Sequence, residues 1–351
     1  MADSPVYRST RATRIAHIAS DSRKKGEGPP MTMFVRPLAP IGAEIIGAPV
    51  GESLDRETIA RIREAWIEHG FLLFRNAGVS EEVHIRVSEC FGTLQPSATT
   101  VNRSRGNPLL MDARHDPDEE QLKTYTIYEL FGRNRAAYIG WHWDQSFTPE
   151  IVRGGVLRMI TPATEDGRTG FIDGIAAYER LPEELKTRIE GLEVVYHFTA
   201  KQEDNWLCRP EHLKVVSRQP GSEEAFAKYK RDFPPVVHPL VITQRETGRK
   251  VLKLSPMHAQ YVLGMDPAAS DALLKRLADH MLDERYAYFH TWQANDMIAW
   301  DNWRMIHSVT GVPPHVHRFA QRTTIIGDYK LGRYLCTDAA VTKTPAAAMI
   351  D

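Results

Sequence analysis

The sequence predicts an α+β protein: a β-sandwich or jelly roll with helices on its flanks. Two observations carry that expectation. Many short apolar or alternating segments between residues 155 and 327 read as strands, several joined by tight turns such as Glu246-Thr247-Gly248 and Asn295-Asp296. Helical patterns are few and sit ahead of these strands or interrupt them, which suits helices packed around a sheet core rather than an alternating parallel fold. No internal repeat and no clean linker breaks the chain. One domain over residues 34–335 is expected, between a disordered leader, 1–33, and a tail, 336–351.

Taken in order, residues 1–30 scatter Arg and Ser and end in Arg23-Lys24-Lys25-Gly26-Glu27-Gly28-Pro29-Pro30, with no hydrophobic period to build a core. Residues 53–69 place Ile59, Ile62 and Trp66 on one helical face, with Asp55 as cap and Gly70 as stop. Phe71-Leu72-Leu73-Phe74 reads as a buried strand. Ser80 then caps a helix carrying Val83, Val87 and Phe91 at a four-residue spacing before Gly92 ends it.

From 95 to 140 the pattern is weak and turn-rich, and an irregular functional or disordered loop is expected there. Beyond it, 155–160, 194–198, 238–243, 250–254, 285–292, 297–301 and 322–327 read as strands. Helices are expected at 178–189, with Leu181, Leu185 and Ile189 in a stripe, and after Asp266-Pro267, burying Leu273, Leu274, Leu277 and Met281.

The composition narrows the function. The chain has 351 residues, 42% hydrophobic, with a formal charge of −1, so it can bury a large core but offers no field to attract nucleic acid or a membrane surface. Small molecules are the expected partners, and a homo-oligomer is compatible with this composition. Cys90, Cys208 and Cys336 are too few and too scattered for a disulfide framework, which fits a reducing, cytoplasmic setting.

Three separated pieces carry chemistry: His142-Trp143-Asp144, the distant His307, and Arg318 with Arg322 beyond it. A lone His-x-Asp is cheap, since a chain with 14 histidines yields about one by chance, so each piece also has a bland reading as core or solvated surface. In an extended segment, residues two apart share a face, so His142 and Asp144 can reach one ion. Two histidines and one carboxylate leave coordination positions open, as a non-haem Fe(II) oxygenase requires. Arg318 and Arg322 would share a strand face, and two inward guanidinium groups are costly unless an anion meets them.

Together these pieces resemble the Fe(II)/2-oxoglutarate-dependent dioxygenases of the taurine dioxygenase and 2,4-dichlorophenoxyacetate dioxygenase family. The resemblance runs over residues 36–330. It includes Ile41-Gly42-Ala43-Glu44-Ile45, Gly70-Phe71-Leu72-Leu73-Phe74-Arg75, Cys90-Phe91-Gly92-Thr93-Leu94, Trp141-His142-Trp143-Asp144, Gly167-Arg168-Thr169-Gly170 and Trp300-Asp301-Asn302 before His307.

By resemblance, the fold would be a cupin-like double-stranded β-helix. His142, Asp144 and His307 would bind Fe(II), and Thr169 and Arg318 would hold the distal carboxylate of 2-oxoglutarate. Arg322 would contact either co-substrate or an acidic group on the substrate. The implied reaction uses O2 to decarboxylate 2-oxoglutarate to succinate and CO2 while oxidising a small organic, possibly acidic, substrate. The presence of Asp144 favours hydroxylation over halogenation.

Two departures bear on substrate. No histidine follows Leu94 before His115, where taurine-type members place one, and Tyr138 stands where some members carry asparagine. Aromatic residues Tyr125, Tyr128, Phe131, Tyr138, Trp141, Trp143, Phe147 and Trp303 crowd the region, either as core packing or as the wall of an apolar pocket. The rival classes are a jelly-roll binding protein without turnover and a metal-dependent hydrolase using the same His/Asp/His site. The chain has no His-Glu-x-x-His, and a hydrolase would leave the arginine pair unexplained.

Overall fold

The computed structural model describes residues 33–335 apart from 97, 99–102, 105 and 125, so the expectations for 1–32 and 336–351 lie outside the described residues. Met33, assigned above to the leader, is buried in the N-terminal core.

At the N-terminal end the chain builds one strand–helix–strand unit. Asp55 caps helix Arg56–His69 by accepting from the Thr58 amide at 2.7 Å, and Gly70, at φ 79°, closes it by donating its amide to Trp66 O. Only a residue without a Cβ suits that turn, because a Cβ there would lie 2.6 Å from Met305 Sδ. The helix buries Ile62, Ala65 and Trp66, and strands Ala43–Ile46 and Phe71–Phe74 on either side of it pair in parallel. Burial of a side chain the size of Ile62 contributes about 1.5–3 kcal/mol.

Two sheets form the body. One runs Phe34–Pro37, Ala43–Ile46, Phe71–Phe74, Met297–Asp301, Gly154–Thr161, Arg318–Ile325 and Leu94–Gln95, with Met111–His115 also paired to Arg318–Ile325. The other runs Lys214–Arg218, Thr126–Leu130, Arg133–His142, Met305–Val312, Thr169–Asp173 and Tyr288–His290. Successive strands alternate between them: Gly154–Thr161 lies in the first sheet and Thr169–Asp173 in the second, Met297–Asp301 in the first and Met305–Val312 in the second, before Arg318–Ile325 returns to the first. That interleaving is the jelly-roll expected from the sequence. A further sheet, Ala259–Val262, Glu193–Tyr196, Val236–Pro239 and Arg333–Tyr334, packs with helix Pro267–Met281 in the largest apolar core.

The loop expected at 95–140 instead contains the strands Met111–His115, Thr126–Leu130 and the start of Arg133–His142. The cues were obscured by local backbone geometry. The hairpin between the latter two turns through Phe131 and Gly132, both at positive φ, with phenylalanine where asparagine would mark the turn. Ala137, at φ 54°, breaks the period of two in the following strand, and the ladder with Met305–Val312 slips nearby.

Other boundaries moved for similar reasons. The helix expected at 178–189 is two, Gly174–Glu179 and Glu183–Ile189, because Pro182 cannot continue the first; Leu181, Leu185 and Ile189 are buried nonetheless. The 238–243 strand divides into Val236–Pro239 and Val241–Thr243, and 285–292 reduces to Tyr288–His290 after a tight turn at Glu284–Tyr286. The strand expected at 322–327 begins at Arg318, four residues earlier.

Two histidines away from the carboxylate-bearing site are buried in the neutral form. His84 Nε2 donates to Val156 O at 2.9 Å and His238 Nε2 to Thr148 O at 2.9 Å; burial pushes each down to about 4, outweighing those hydrogen bonds. Their folded pKa lies below the ordinary 6.5, so below that pH the unfolded chain takes up protons first. Stability is therefore expected to fall as pH drops from about 6.5 to about 4, by roughly 3 kcal/mol per group. Urea midpoints measured across that range should decline, with a shallower slope in His84→Gln; an unchanged midpoint would contradict the burial argument.

Candidate functional site

The site begins with a cross-strand pair. His142 ends strand Arg133–His142, His307 lies in Met305–Val312, and the two are direct partners in the antiparallel ladder, their ring centroids 4.3 Å apart. Gln145, at φ 57°, turns the chain just after the strand and leaves Asp144 facing both rings. Each imidazole Nε2 lies 3.9 Å from the same Asp144 Oδ1. Two donors each about 2.1 Å from a shared ion are at most about 4.2 Å apart, so this spacing admits one metal ion.

Neighbouring groups fix each member. The backbone carbonyl of Gly140 accepts from His142 Nδ1 at 2.8 Å, which leaves Nε2 with its lone pair facing the site. Burial lowers the pKa of His142 and drives His307 down to about 3, so both rings are neutral at ordinary pH. Asn302 holds Asp144 by its main chain: Oδ1 accepts the Asp144 amide at 2.7 Å and Nδ2 donates to the Asp144 carbonyl at 3.0 Å. Burial opposes ionisation of the Asp144 carboxyl, but Arg322, with Nη1 2.6 Å from Oδ1, and the two histidines outweigh it and leave the group at about 2.

The strand Arg318–Ile325 presents both arginines to the same cavity, of about 390 Å3, that His142, His307 and Thr169 also line. Their situations differ. Arg322 is paired with Asp144, whereas Arg318 is buried, its Nε has no partner and it forms no ion pair with the described residues. Burial alone pulls its pKa to about 10. A buried guanidinium without a counter-ion is a strong demand for a carboxylate. Thr169 Oγ1 accepts from Trp292 Nε1 at 2.9 Å, leaving its own hydroxyl hydrogen free to donate.

Sequence reasoning named all six of these residues but missed their supports. Lys253 is buried behind the site, with Nζ donating to Asn302 O and lying 3.9 Å from the Trp143 ring centroid, and burial pushes its pKa far down. Nothing in its local sequence, a lysine within a strand-like run, marks it. Of the crowded aromatics, Tyr128 and Tyr138 line the cavity, Trp143 and Trp303 are core, and Phe131 is exposed at its hairpin turn; Tyr125 is outside the described residues. His115 reaches the cavity, but both ring nitrogens are engaged, by Pro314 O and the Thr124 amide. Asp116, Asp118 and His317 also converge, at the surface, with His317 already bonded to both carboxylates.

The geometry agrees with what the chain is similar to. The family model described as taurine catabolism dioxygenase TauD, TfdA family matches residues 35–324. An (S)-phenoxypropionate/alpha-ketoglutarate dioxygenase of Sphingobium herbicidovorans is 28% identical over 84% of this chain and 95% of its own length. An alpha-ketoglutarate-dependent 2,4-dichlorophenoxyacetate dioxygenase of Cupriavidus pinatubonensis is 27% identical over 85% and 99%. The crystal structure of a taurine dioxygenase from Burkholderia xenovorans is 25% identical, superposes with a TM-score of 0.63 and covers 84% of this chain and 91% of that one. No helix among the described residues is long and apolar enough to cross a membrane.

Because Arg322 is the chief group holding Asp144 ionised, Arg322→Met is expected to move the Asp144 carboxyl upward from about 2. Carbon-13 NMR titration of the metal-free protein reads that directly; an unmoved carboxyl would show that the ion pair is not what sets it.

Proposed function

On the premise that the chain belongs to the TauD/TfdA family of dioxygenases, we propose that it is an Fe(II)- and 2-oxoglutarate-dependent enzyme whose metal is held by His142, Asp144 and His307. Arg318 and Thr169 hold the distal carboxylate of 2-oxoglutarate. The observation that carries this reading is the buried, unpaired Arg318 in the same cavity as the two histidines. A hydrolase needs a metal-bound water and has no use for that cation, and a binding protein without turnover has no need of three preorganised ligands beside it.

When bound, Fe(II) with O2 supplies the oxidising chemistry, so that R–H, O2 and 2-oxoglutarate give R–OH, succinate and CO2. The chain's own residues set the geometry. His142 and His307 offer neutral Nε2 lone pairs, and Asp144 offers a carboxylate that stays ionised over the whole working pH range. Asn302 prevents Asp144 from swinging away, and Arg322 orients its Oδ1. Arg318 anchors the co-substrate at its far end, and Leu157, Phe171 and Trp300 exclude water from the space between. The substrate is a small organic molecule. The free cysteines Cys90 and Cys208 suit a cytoplasmic setting.

Adding Fe(II) and 2-oxoglutarate without oxygen is expected to give a weak visible charge-transfer band, which a hydrolase would lack. His142→Ala should abolish both the band and succinate release while circular dichroism stays unchanged. Arg318→Ala is expected to raise the 2-oxoglutarate concentration for half-maximal band intensity by at least about 30-fold, the loss that follows from truncating one partner of a buried charge pair. An unchanged requirement would place the dicarboxylate elsewhere.

A further inference from the structure

The strand that carries His142 is irregular where it meets the site. His142 pairs with His307 and Ile139 with Val309, so Gly140 and Trp141 together stand opposite Ser308 alone. A bulge of this kind disrupts the ladder locally and re-aims the side chains beside it. The Gly140 carbonyl is the group that meets His142 Nδ1, at 2.8 Å. Whatever holds Gly140 in place therefore decides which ring nitrogen of His142 carries the proton.

Gln202 supplies that hold. Its side chain is buried, and its Oε1 accepts from the Gly140 amide at 3.0 Å. The reverse setting of the carboxamide would bring two donors together, so the amide of Gly140 fixes which end faces the strand. A Cβ at Gly140 would lie 3.0 Å from Gln202 Oε1 and 3.1 Å from Asn205 Nδ2, so glycine is what lets both side chains close on the bulge. Gln202 is itself anchored: Tyr128 OH accepts its main-chain amide at 3.0 Å and donates to Glu203 at 3.0 Å, and Glu203 is paired with Arg218. The next peptide is pinned separately, by the Met257 amide donating to Trp141 O at 3.0 Å. Gln202 Nε2 meets the Met257 sulfur at 3.8 Å, a weak acceptor, so the oxygen end makes the stronger bond.

We propose that Gln202 is a positioning residue for His142: by fixing the Gly140 backbone it keeps the ring proton on Nδ1 and the lone pair on Nε2, toward the metal position. The role rests on the dioxygenase reading, because a lone pair at Nε2 serves a metal. Without the hold the Gly140 carbonyl is free to turn away, and the competing acceptor is Asp144 Oδ1, 3.9 Å from His142 Nε2. A proton moved to Nε2 would block that nitrogen as a ligand. Groups that orient a metal-binding imidazole in this way contribute about 10–100-fold to metal affinity.

Nitrogen-15 NMR of the metal-free protein, labelled at histidine, reads the tautomer, and anaerobic calorimetry with Fe(II) alone reads the affinity. Wild-type His142 is expected to show a protonated Nδ1 and a bare Nε2. Gln202→Met, which keeps the bulk and removes the acceptor, is expected to populate the Nε2–H form and to weaken Fe(II) binding by at least about tenfold. Gln202→Glu, which keeps an acceptor for the Gly140 amide, is expected to restore most of both. His238, whose Nε2 donates to Thr148 O away from the site, should keep its signals in both variants. Disturbed His238 signals would mark a general structural role and overturn the proposal. So would an unmoved His142 tautomer in Gln202→Met, or equal losses in the two variants. Wild-type protein that takes up no Fe(II) would sink the dioxygenase reading, and this role with it.

Discussion

The site depends on where one carboxylate is held. Asp144 lies just past the end of a strand, where the chain is turning, and a side chain in that position would ordinarily sample several orientations. Asn302 removes that freedom by bonding the amide and carbonyl of the same residue. The His142–His307 pair then needs no special positioning, because the antiparallel ladder places those two residues opposite each other. A carboxylate fixed against a fixed imidazole pair suits the cation site we propose there, and Arg322 offsets the cost of burying its charge.

The segment carrying Asn302 is itself clamped. Asp301 accepts from Arg153 and Gln244 and from the Trp303 amide. Arg304 forms a two-pronged ion pair with Asp173 and donates to the carbonyls of Ile67 and Glu68 near the end of helix Arg56–His69. Lys253 holds the Asn302 carbonyl from behind. The short link between strands Met297–Asp301 and Met305–Val312 is thus bound to the N-terminal helix and to both sheets. Buried charge pairs add little net stability, but removing one partner is costly, and that asymmetry suits a segment that must not move.

The cavity is divided by its chemistry. One end concentrates positive charge, with Arg318 left unpaired; the other is aromatic, and its charges are cancelled among themselves. Such a division sorts ligands by charge before size matters, since an unpaired anion is penalised heavily in the apolar half and rewarded in the cationic half.

Much of this was legible in the sequence because it rests on local chemistry. Asp55, Ser80 and Asp266 mark helix starts, Gly70 requires its positive φ, and strand Met297–Asp301 shows by its apolar run Met297–Trp300, buried on both faces. The pairing of Arg318 with Arg322 is legible because residues four apart share a strand face, and His142 with Asp144 as a local pair two residues apart, which the turn at Gln145 past the strand's end brings to one side. What only the tertiary structure decided is whatever joins residues far apart in the chain. It set the register of His307 against His142, the grip of Asn302 on Asp144, the pairing of Arg322 and not Arg318, and the placing of Lys253. It also revealed strands within 95–140, whose turn at Phe131-Gly132, positive φ at Ala137 and register shift between Ile139 and His142 carry no sequence cue. Propensity and periodicity describe a residue's immediate neighbours, whereas charge pairing and ladder register are fixed by partners far along the chain, 49 residues away for Lys253 and Asn302 and 158 for Asn302 and Asp144.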